Sequence, residues 1–311
     1  MSARALYGYI WRASRSQQTI ICILTMIISP IPMAYLELQR RIVDDAIPQR
    51  DVQLLALLGI AYLAVICVKS ALKYGLNMAK GVVVEIVARD LRQRVMKRAA
   101  SLSGGSDSSH LPNRATLVSM LSAETDDMSG FSGDAFAVPL LSIGTILYVA
   151  GFLLWVQPAI AILALVVYLP QVLIVPATQH KINRLARLRI RLTRFLGRLA
   201  MHLPTKVAAQ TPGAVHIQRL YRVRIWIYQR KFFLSELGNF LASLGPLIVL
   251  TFGGYLVITG RTEVGTLVVF ISGLQRIFDP WDELVTFYRA ISNTTVMYAM
   301  ICDQLGVEAI H

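Results

Sequence analysis

The fold is decided by two apolar stretches, IAILALVVYLPQVLIVP at Ile160–Pro176 and FLASLGPLIVLTFGGYLVI at Phe240–Ile258, and by the basic segment between them. That segment, Gln179–Glu236, carries thirteen Lys and Arg against one acid, Glu236, in a chain whose net charge is +13. Both apolar stretches are long enough to cross a bilayer as helices. Because Lys and Arg stay on the cytoplasmic side of a membrane, the basic segment is predicted to be cytoplasmic.

The composition is that of a protein that crosses a membrane several times. Of the 311 residues, 55% are hydrophobic and only 16% are charged, and the mean hydropathy is +0.55. A soluble domain usually carries about 25% charged residues. The apolar runs are long and do not alternate with polar residues, which predicts helices and not the strands of a membrane barrel.

Six apolar segments are predicted to span the membrane. The expected fold is an all-α membrane protein, a single domain over residues 1–311, with six transmembrane helices and long cytoplasmic helical extensions. A spanning helix needs roughly 20 apolar residues, and the six candidate segments cover residues 19–36, 54–74, 135–155, 160–176, 240–258 and 264–285.

The loops between these spans alternate in length and charge. Short connections are expected at Leu38–Gln53, at Val156–Pro158 and at Thr259–Glu263, whereas the two others are about sixty residues long and carry the Lys and Arg. The long segments and both termini are therefore predicted to face the cytoplasm, and the protein is predicted to lie in the cell membrane. Within them, Val82–Ala100 and Gln179–Leu203 have helical periodicity, so each long segment reads as a helical hairpin with a short tip.

Four stretches in this order resemble the transmembrane domain of ABC exporters of the six-helix type. The similarity covers nearly the whole chain, and Gly213, Gly260, Gly265 and Pro280 fall on the family pattern. The stretches are RRIVDDAIPQRDVQLLALL at Arg40–Leu58, ATLVSMLSAETDDM at Ala115–Met128, TPGAVHIQRL at Thr211–Leu220 and ITGRTEVGTLVVFISGLQRIFDPWDEL at Ile258–Leu284.

The resemblance implies that the two hairpin tips dock onto an ATPase. The candidate coupling residues are Ser109, His110, Asn113, Ala115, Pro212, Gly213 and His216. The chain departs from the family pattern in this region, since Ala115 replaces a Gly, Met120 an Arg and Ala209 a Glu. The docking surface is accordingly expected to be either specialised for one partner or degraded.

A nucleotide-binding loop is missing from the sequence. No G-x-x-x-x-G-K-[ST] pattern occurs, and without it nothing cradles the β- and γ-phosphates. LSGGS at Leu102–Ser106 lies in the first tip and is interpreted as a turn. The chain is thus expected to carry no cofactor and not to be an enzyme by itself, with ATP and Mg on a partner ATPase subunit. The other expected partners are a second transmembrane domain and the lipid bilayer, but no nucleic acid.

Polar residues inside the predicted spans are candidates for a substrate cavity, because a bilayer makes them costly. Gln171 lies in the fourth span, and Arg276 and Asp279 lie one helical turn apart in the sixth. Arg276 and Asp279 either pair with each other or line a cavity and meet the substrate. Lys69 and Lys73 in the second span are expected to extend towards the membrane surface.

Three functional classes follow from these observations. The first is a permease subunit that moves an unidentified substrate by alternating access, driven by a separate ATPase chain. The second is a membrane scaffold or sensor that has kept the fold and lost ATPase coupling. The third is an intramembrane enzyme, which the sequence disfavours because His110, His180, His202, His216 and His311 form no metal-binding or catalytic motif.

The predicted topology can be tested by thiol labelling of intact cells. A cysteine introduced at Ser109 or Thr205 should resist a membrane-impermeant reagent, because both positions lie in basic segments that remain cytoplasmic. A cysteine at Gln49 should be labelled. Labelling at Ser109 together with protection at Gln49 would reverse the proposed orientation.

Overall fold

A computed structural model describes residues 3–103, 125–167, 169–202 and 214–305 of the chain. These residues form helices joined by short turns, and none of them lies in a β-strand. The expected all-α fold class is thereby confirmed for the described part of the chain.

The helices, numbered in chain order, include one that is 52 residues long. The helices are α1 Ala3–Ala13, α2 Arg15–Ile28, α3 Ile31–Arg41, α4 Ile47–Gln49, α5 Val52–Ser103, α6 Thr125–Val156, α7 Pro158–Val166, α8 Leu169–His202, α9 Ala214–Ile248, α10 Gly254–Ile258 and α11 Val264–Leu305. A π-helical turn, Ile42–Ala46, separates α3 from α4, and a second, Val249–Gly253, separates α9 from α10.

The chain divides into two compact units. Unit 1 comprises Met1–Ala161 and Gly253–His311, and unit 2 comprises Ile162–Phe252. In unit 1, α6 packs against α5 and α11, while α2 packs against α5 and α6. In unit 2, α8 packs against α9. The unit 1 core is built from buried residues of α1, α2, α5, α6 and α11, among them Ile10, Ile21, Val87, Met128 and Tyr298.

Four helical stretches of the described residues are long and apolar enough to cross a membrane. They are Arg15–Gln49, Val52–Lys97, Thr125–Val156 and Ala214–Ile258. They contain the first, second, third and fifth predicted spans. The predicted fourth span falls on α7 and α8, and the sixth on α11, which are outside this set of four. The chain is therefore an integral membrane protein by helix length and composition.

The expected loop Leu38–Gln53 is largely helical, which corrects the prediction from sequence. Helix α3, the π-helical turn and α4 carry the chain without interruption to Gln49. Arg50 then takes a left-handed conformation with φ 54°, which ends the helix. Asp51 accepts hydrogen bonds from the backbone N–H groups of Gln53 and Leu54 at 2.9 and 3.0 Å, so it caps α5. Two residues, not sixteen, make this turn.

The other predicted connections agree with the structure where it describes them. Gln157 alone separates α6 from α7, and Thr259–Glu263 separates α10 from α11. In the second of these turns Gly260 has a φ of 71°, a conformation that glycine adopts without steric cost. Val82–Ala100 is continuous within α5, and Gln179 to His202 is continuous within α8.

Helices α5 and α6 are in close backbone contact at Gly133. A Cβ atom at Gly133 would lie 2.9 Å from the carbonyl oxygen of Lys80 and 3.0 Å from Val84 Cγ2. Next to it, Lys80 Nζ forms an ion pair with Asp134 Oδ1 at 2.5 Å. The absence of a side chain at Gly133 lets the two backbones meet, as small residues do in membrane helix pairs.

We expect Gly133→Ala to lower the free energy of unfolding by about 1–3 kcal/mol, because the added methyl group must displace backbone atoms. Gly130→Ala is the matched control, since a Cβ there would meet nothing within 4 Å. Thermal unfolding of both variants in detergent would measure the difference. Equal midpoints for the two variants would show that the contact at Gly133 does not stabilise the bundle.

Candidate functional site

Two cations of unit 1 share one aromatic ring. Lys69 Nζ of α5 lies 5.3 Å from the centroid of the Tyr35 ring, and Arg276 Cζ of α11 lies 4.8 Å from it. Tyr35 belongs to α3 and is 5% exposed. We call Tyr35, Lys69 and Arg276 the cation cluster. A cation–π contact contributes about 0.5–2 kcal/mol and leaves the positive charge unneutralised.

Tyr35 is held in place by further contacts of its own helix and of α5. Its hydroxyl donates to the carbonyl oxygen of Val65 at 3.3 Å, and its ring centroid lies 5.2 Å from that of Tyr62. Gln39, one turn further along α3, donates from Nε2 to the Tyr62 hydroxyl at 3.3 Å. The ring is therefore a fixed platform on which the two cations rest.

Arg276 does not pair with Asp279, the partner that the sequence offered. No ion pair joins the two among the described residues, and Asp279 is exposed while Arg276 is half-buried. Arg276 Nε is buried and has no hydrogen-bond partner in the part of the chain that the structure describes. The guanidinium of Arg276 lies over the Tyr35 ring of α3 instead. Lys69 likewise lies against Tyr35 instead of reaching only towards the membrane surface.

A hydrogen bond also links the π-helical turn after α3 to the start of α11, at the end of unit 1 where the short turns lie. Asp44 Oδ1, in the π-helical turn, accepts a hydrogen bond of 2.7 Å from the backbone N–H of Gly265. A side chain at Gly265 would overlap the Asp44 carboxylate. This bond sets the beginning of α11 beside the end of α3. From this end, the helical rise places the residues of the cation cluster roughly 14–26 Å along their helices.

A cavity of about 400 Å³ lies further along α5, α6 and α11. Its lining includes Lys80, Asp134, Glu283 and Phe287. Lys80 pairs with Asp134, Glu283 accepts a 3.0 Å hydrogen bond from the Ser142 hydroxyl, and Asp127 also lines the cavity. The cavity therefore has charged walls in which acidic groups outnumber the one lysine.

Most of the predicted coupling residues lie outside the described residues. This applies to Ser109, His110, Asn113, Ala115, Pro212 and Gly213. His216 is described near the start of α9, where its ring centroid lies 4.5 Å from that of Phe195 on α8. Of the cavity candidates, Arg276 and Asp279 lie on α11 in unit 1, whereas Gln171 lies on α8 in unit 2.

Helix α1 is fastened to the extensions of α5 and α11 by Tyr9. The Tyr9 hydroxyl donates to Asp90 Oδ2 at 2.7 Å, and Arg94 Nε donates to the same oxygen at 2.7 Å. The Tyr9 ring stacks on that of Tyr298 with centroids 5.9 Å apart. Burial and the hydrogen bond to Asp90 raise the pKa of Tyr9 well above its ordinary value. The phenol is therefore neutral in the folded protein, and it fixes α1 to α5 and α11.

A known protein family matches more than half of the chain. The family described as the ABC transporter transmembrane region matches residues 19–199, which is more than half of the chain. The chain belongs to this family. No curated protein matches the chain at a significant level. The matched part of this ABC transporter chain contains Tyr35 and Lys69, while Arg276 lies beyond it.

Tyr35 is a member of the cluster that the sequence did not single out. It is the only aromatic residue of the predicted first span, 19–36. That isolation was a signal, but an aromatic side chain near the end of an apolar run is common and needs no functional explanation. The contact depends on Lys69 and Arg276, which follow Tyr35 in the sequence by 34 and 241 positions.

We expect Tyr9→Phe to destabilise the protein by about 1 kcal/mol at pH 8, the usual contribution of a hydrogen bond. Because the folded state raises the pKa of Tyr9, the stability that it adds is present below about pH 10 and falls as the pH rises above it. The variant should lose less stability than the parent between about pH 10 and 11. Tyr221→Phe, at an exposed position, is the control in denaturant titrations, and identical alkaline slopes for Tyr9→Phe and the parent would contradict the assignment.

Proposed function

We propose that this chain is the membrane-spanning permease subunit of an ABC-type exporter. It moves its substrate by alternating access, driven by ATP hydrolysis on a separate nucleotide-binding chain. The observation that carries the proposal is the family match over residues 19–199. The 311 residues of this chain contain no phosphate-binding G-x-x-x-x-G-K-[ST] loop, so the nucleotide is proposed to bind elsewhere in the transporter.

The mechanism is a two-state movement of long helices. ATP binding closes a pair of nucleotide-binding domains, and the hairpin tips pass that movement to the helices that continue into the membrane. The length of α5 supports this step, because a 52-residue helix spans roughly 78 Å and links the turn end to the first tip without a break. A rigid helix transmits a displacement over that distance.

The remaining parts of the proposal follow from charge and family membership. Six helices span the membrane of the cell, both termini lie in the cytoplasm, and the helical extensions of α5, α8 and α9 project into it. The charge pattern supports this topology, because the long segments carry the Lys and Arg. A second transmembrane domain, identical or different, completes the transport pathway.

The second candidate function is a membrane scaffold or sensor that no longer couples to an ATPase. It is favoured by Ala209 and Met120, which replace a Glu and an Arg of the family pattern in the regions that dock onto the ATPase. The two candidates differ in one measurable property, which is the physical association of the chain with a nucleotide-binding subunit.

Gly213→Trp separates these two candidates. If the second tip docks onto an ATPase, an indole there would obstruct a close backbone approach and oppose any left-handed conformation. We expect normal insertion into the membrane, and loss of the ATPase chain in affinity purification in mild detergent with mass spectrometry of the partners. Arg261→Trp, in the turn before α11, is the control and should co-purify like the parent. Co-purification of Gly213→Trp at the parental level would favour the scaffold.

The purified chain alone should not bind nucleotide. It lacks the backbone loop and the lysine that hold the phosphates of ATP, so equilibrium dialysis with Mg-ATP should detect no saturable binding. Binding should appear only when the ATPase chain is added. Saturable, Mg-dependent binding by the isolated chain would exclude the proposed division of labour.

A further inference from the structure

The cation cluster contains two positive charges, and no described residue forms an ion pair with either of them. Lys69 Nζ lies over the Tyr35 ring. The charged groups that act on Lys69 are Arg276 and Lys73, and both are cations. Arg276 Nε is buried without an acceptor among the described residues. Charges at membrane depth are costly unless they are paired, and unpaired ones commonly mark a ligand or ion pathway.

The acidic residues of the neighbouring helix segments are engaged elsewhere or turned away. Glu37, two residues after Tyr35, accepts hydrogen bonds from Arg40 and Arg41. Asp44 accepts from the backbone of Gly265. Asp279, the nearest acid on α11, is exposed and forms no ion pair with any described residue. The described fold thus supplies no carboxylate to the cluster.

The donors of the cluster match an oxyanion. A guanidinium presents parallel N–H groups that fit a carboxylate or a phosphate, and an ammonium adds a compact charge beside it. The ring of Tyr62, which packs against the buried ring of Tyr35, is partly exposed and apolar. Tyr35 and Arg276 belong to α3 and α11, and the hydrogen bond between Asp44 and Gly265 joins the continuation of α3 to the start of α11 at one end of unit 1. A molecule with an anionic group and an apolar body would therefore satisfy both parts of the site.

We propose that Lys69 and Arg276, arranged on Tyr35, form a recognition site for the carboxylate or phosphate group of an amphipathic organic anion. The inference rests on the proposed function, since it names the chemical class of the transported molecule. An anionic lipid of the bilayer and a water-soluble organic anion offer the same chemistry. In this proposal the anionic group of the ligand supplies the counter-charge to the two cations.

Binding can be measured on the full chain in a neutral detergent, without an ATPase or nucleotide. The probe is 11-(dansylamino)undecanoate, and its methyl ester has the same body without the charge. We expect the parent to bind the acid at least tenfold more tightly than the ester, the scale of a charge-assisted hydrogen bond. Lys69→Met/Arg276→Met should lose that preference, and Lys69→Arg/Arg276→Lys should retain most of it. Lys73→Met, which removes an exposed charge one turn away, should change the preference less than twofold.

Competition against the same probe distinguishes the two sources of the anion. Lysophosphatidylglycerol should compete, with lysophosphatidylcholine as its zwitterionic control, if the ligand is a lipid. Phenyl phosphate should compete if the ligand is a soluble anion. Competition by either one supports the site. No preference of the parent for the acid over the ester overturns it.

A purely structural role for the two cations predicts a different result. In that case Lys69→Met/Arg276→Met would unfold at a lower temperature or elute as a different oligomer, and the preference for the acid would persist in any folded fraction and in the single variant Lys69→Gln. This outcome overturns the proposal. We expect the double variant to keep the parental elution volume and an equal or higher melting temperature, since it removes two unpaired charges.

These measurements are independent of the test for ATPase coupling. Selective anion binding by a chain that never associates with an ATPase would remove the proposed transport function and leave the binding site. Normal association with an ATPase, combined with equal binding of acid and ester, would remove the anion site and leave the transport function.

Discussion

The absence of water in the hydrocarbon core is the constraint on which this structure depends. Every backbone N–H and C=O group there must find its partner within the protein, and a helix achieves this locally. The chain accordingly forms helices over the described residues, one of them 52 residues long. Departures from regular helix occur as π-helical turns at Ile42–Ala46 and Val249–Gly253, which keep the backbone hydrogen-bonded while they redirect it.

Pairing separates structural from functional candidates among the charged side chains of unit 1. Lys80 pairs with Asp134, Arg92 with Asp126, and Asp44 with a backbone N–H group. These contacts join neighbouring helices of unit 1 and need no ligand. Lys69 and Arg276 differ, because their shared partner is an aromatic ring that stabilises a cation without neutralising it.

The positions of these groups relate the fold to the proposed transport cycle. A membrane subunit that is driven from outside needs a part that receives force and a part that meets the substrate. In unit 1 the long helix α5 connects both, since it carries Lys69 near its beginning and the Tyr9–Asp90 contact far along its length. A movement imposed on the far end of α5 therefore reaches the cation cluster through one continuous helix.

The sequence by itself determined the membrane class, the helical state, the short turns and the family, because apolar length, charge and glycine or proline position are local properties. It could not determine which side chains meet. It placed Asp279 beside Arg276, one turn away on the same helix, and a loop at Leu38–Gln53 where helix continues to Gln49. Only the tertiary structure brought Tyr35 between Lys69 and Arg276, because contacts between helices depend on how their faces pack. The number of residues between two positions in the sequence does not determine that packing.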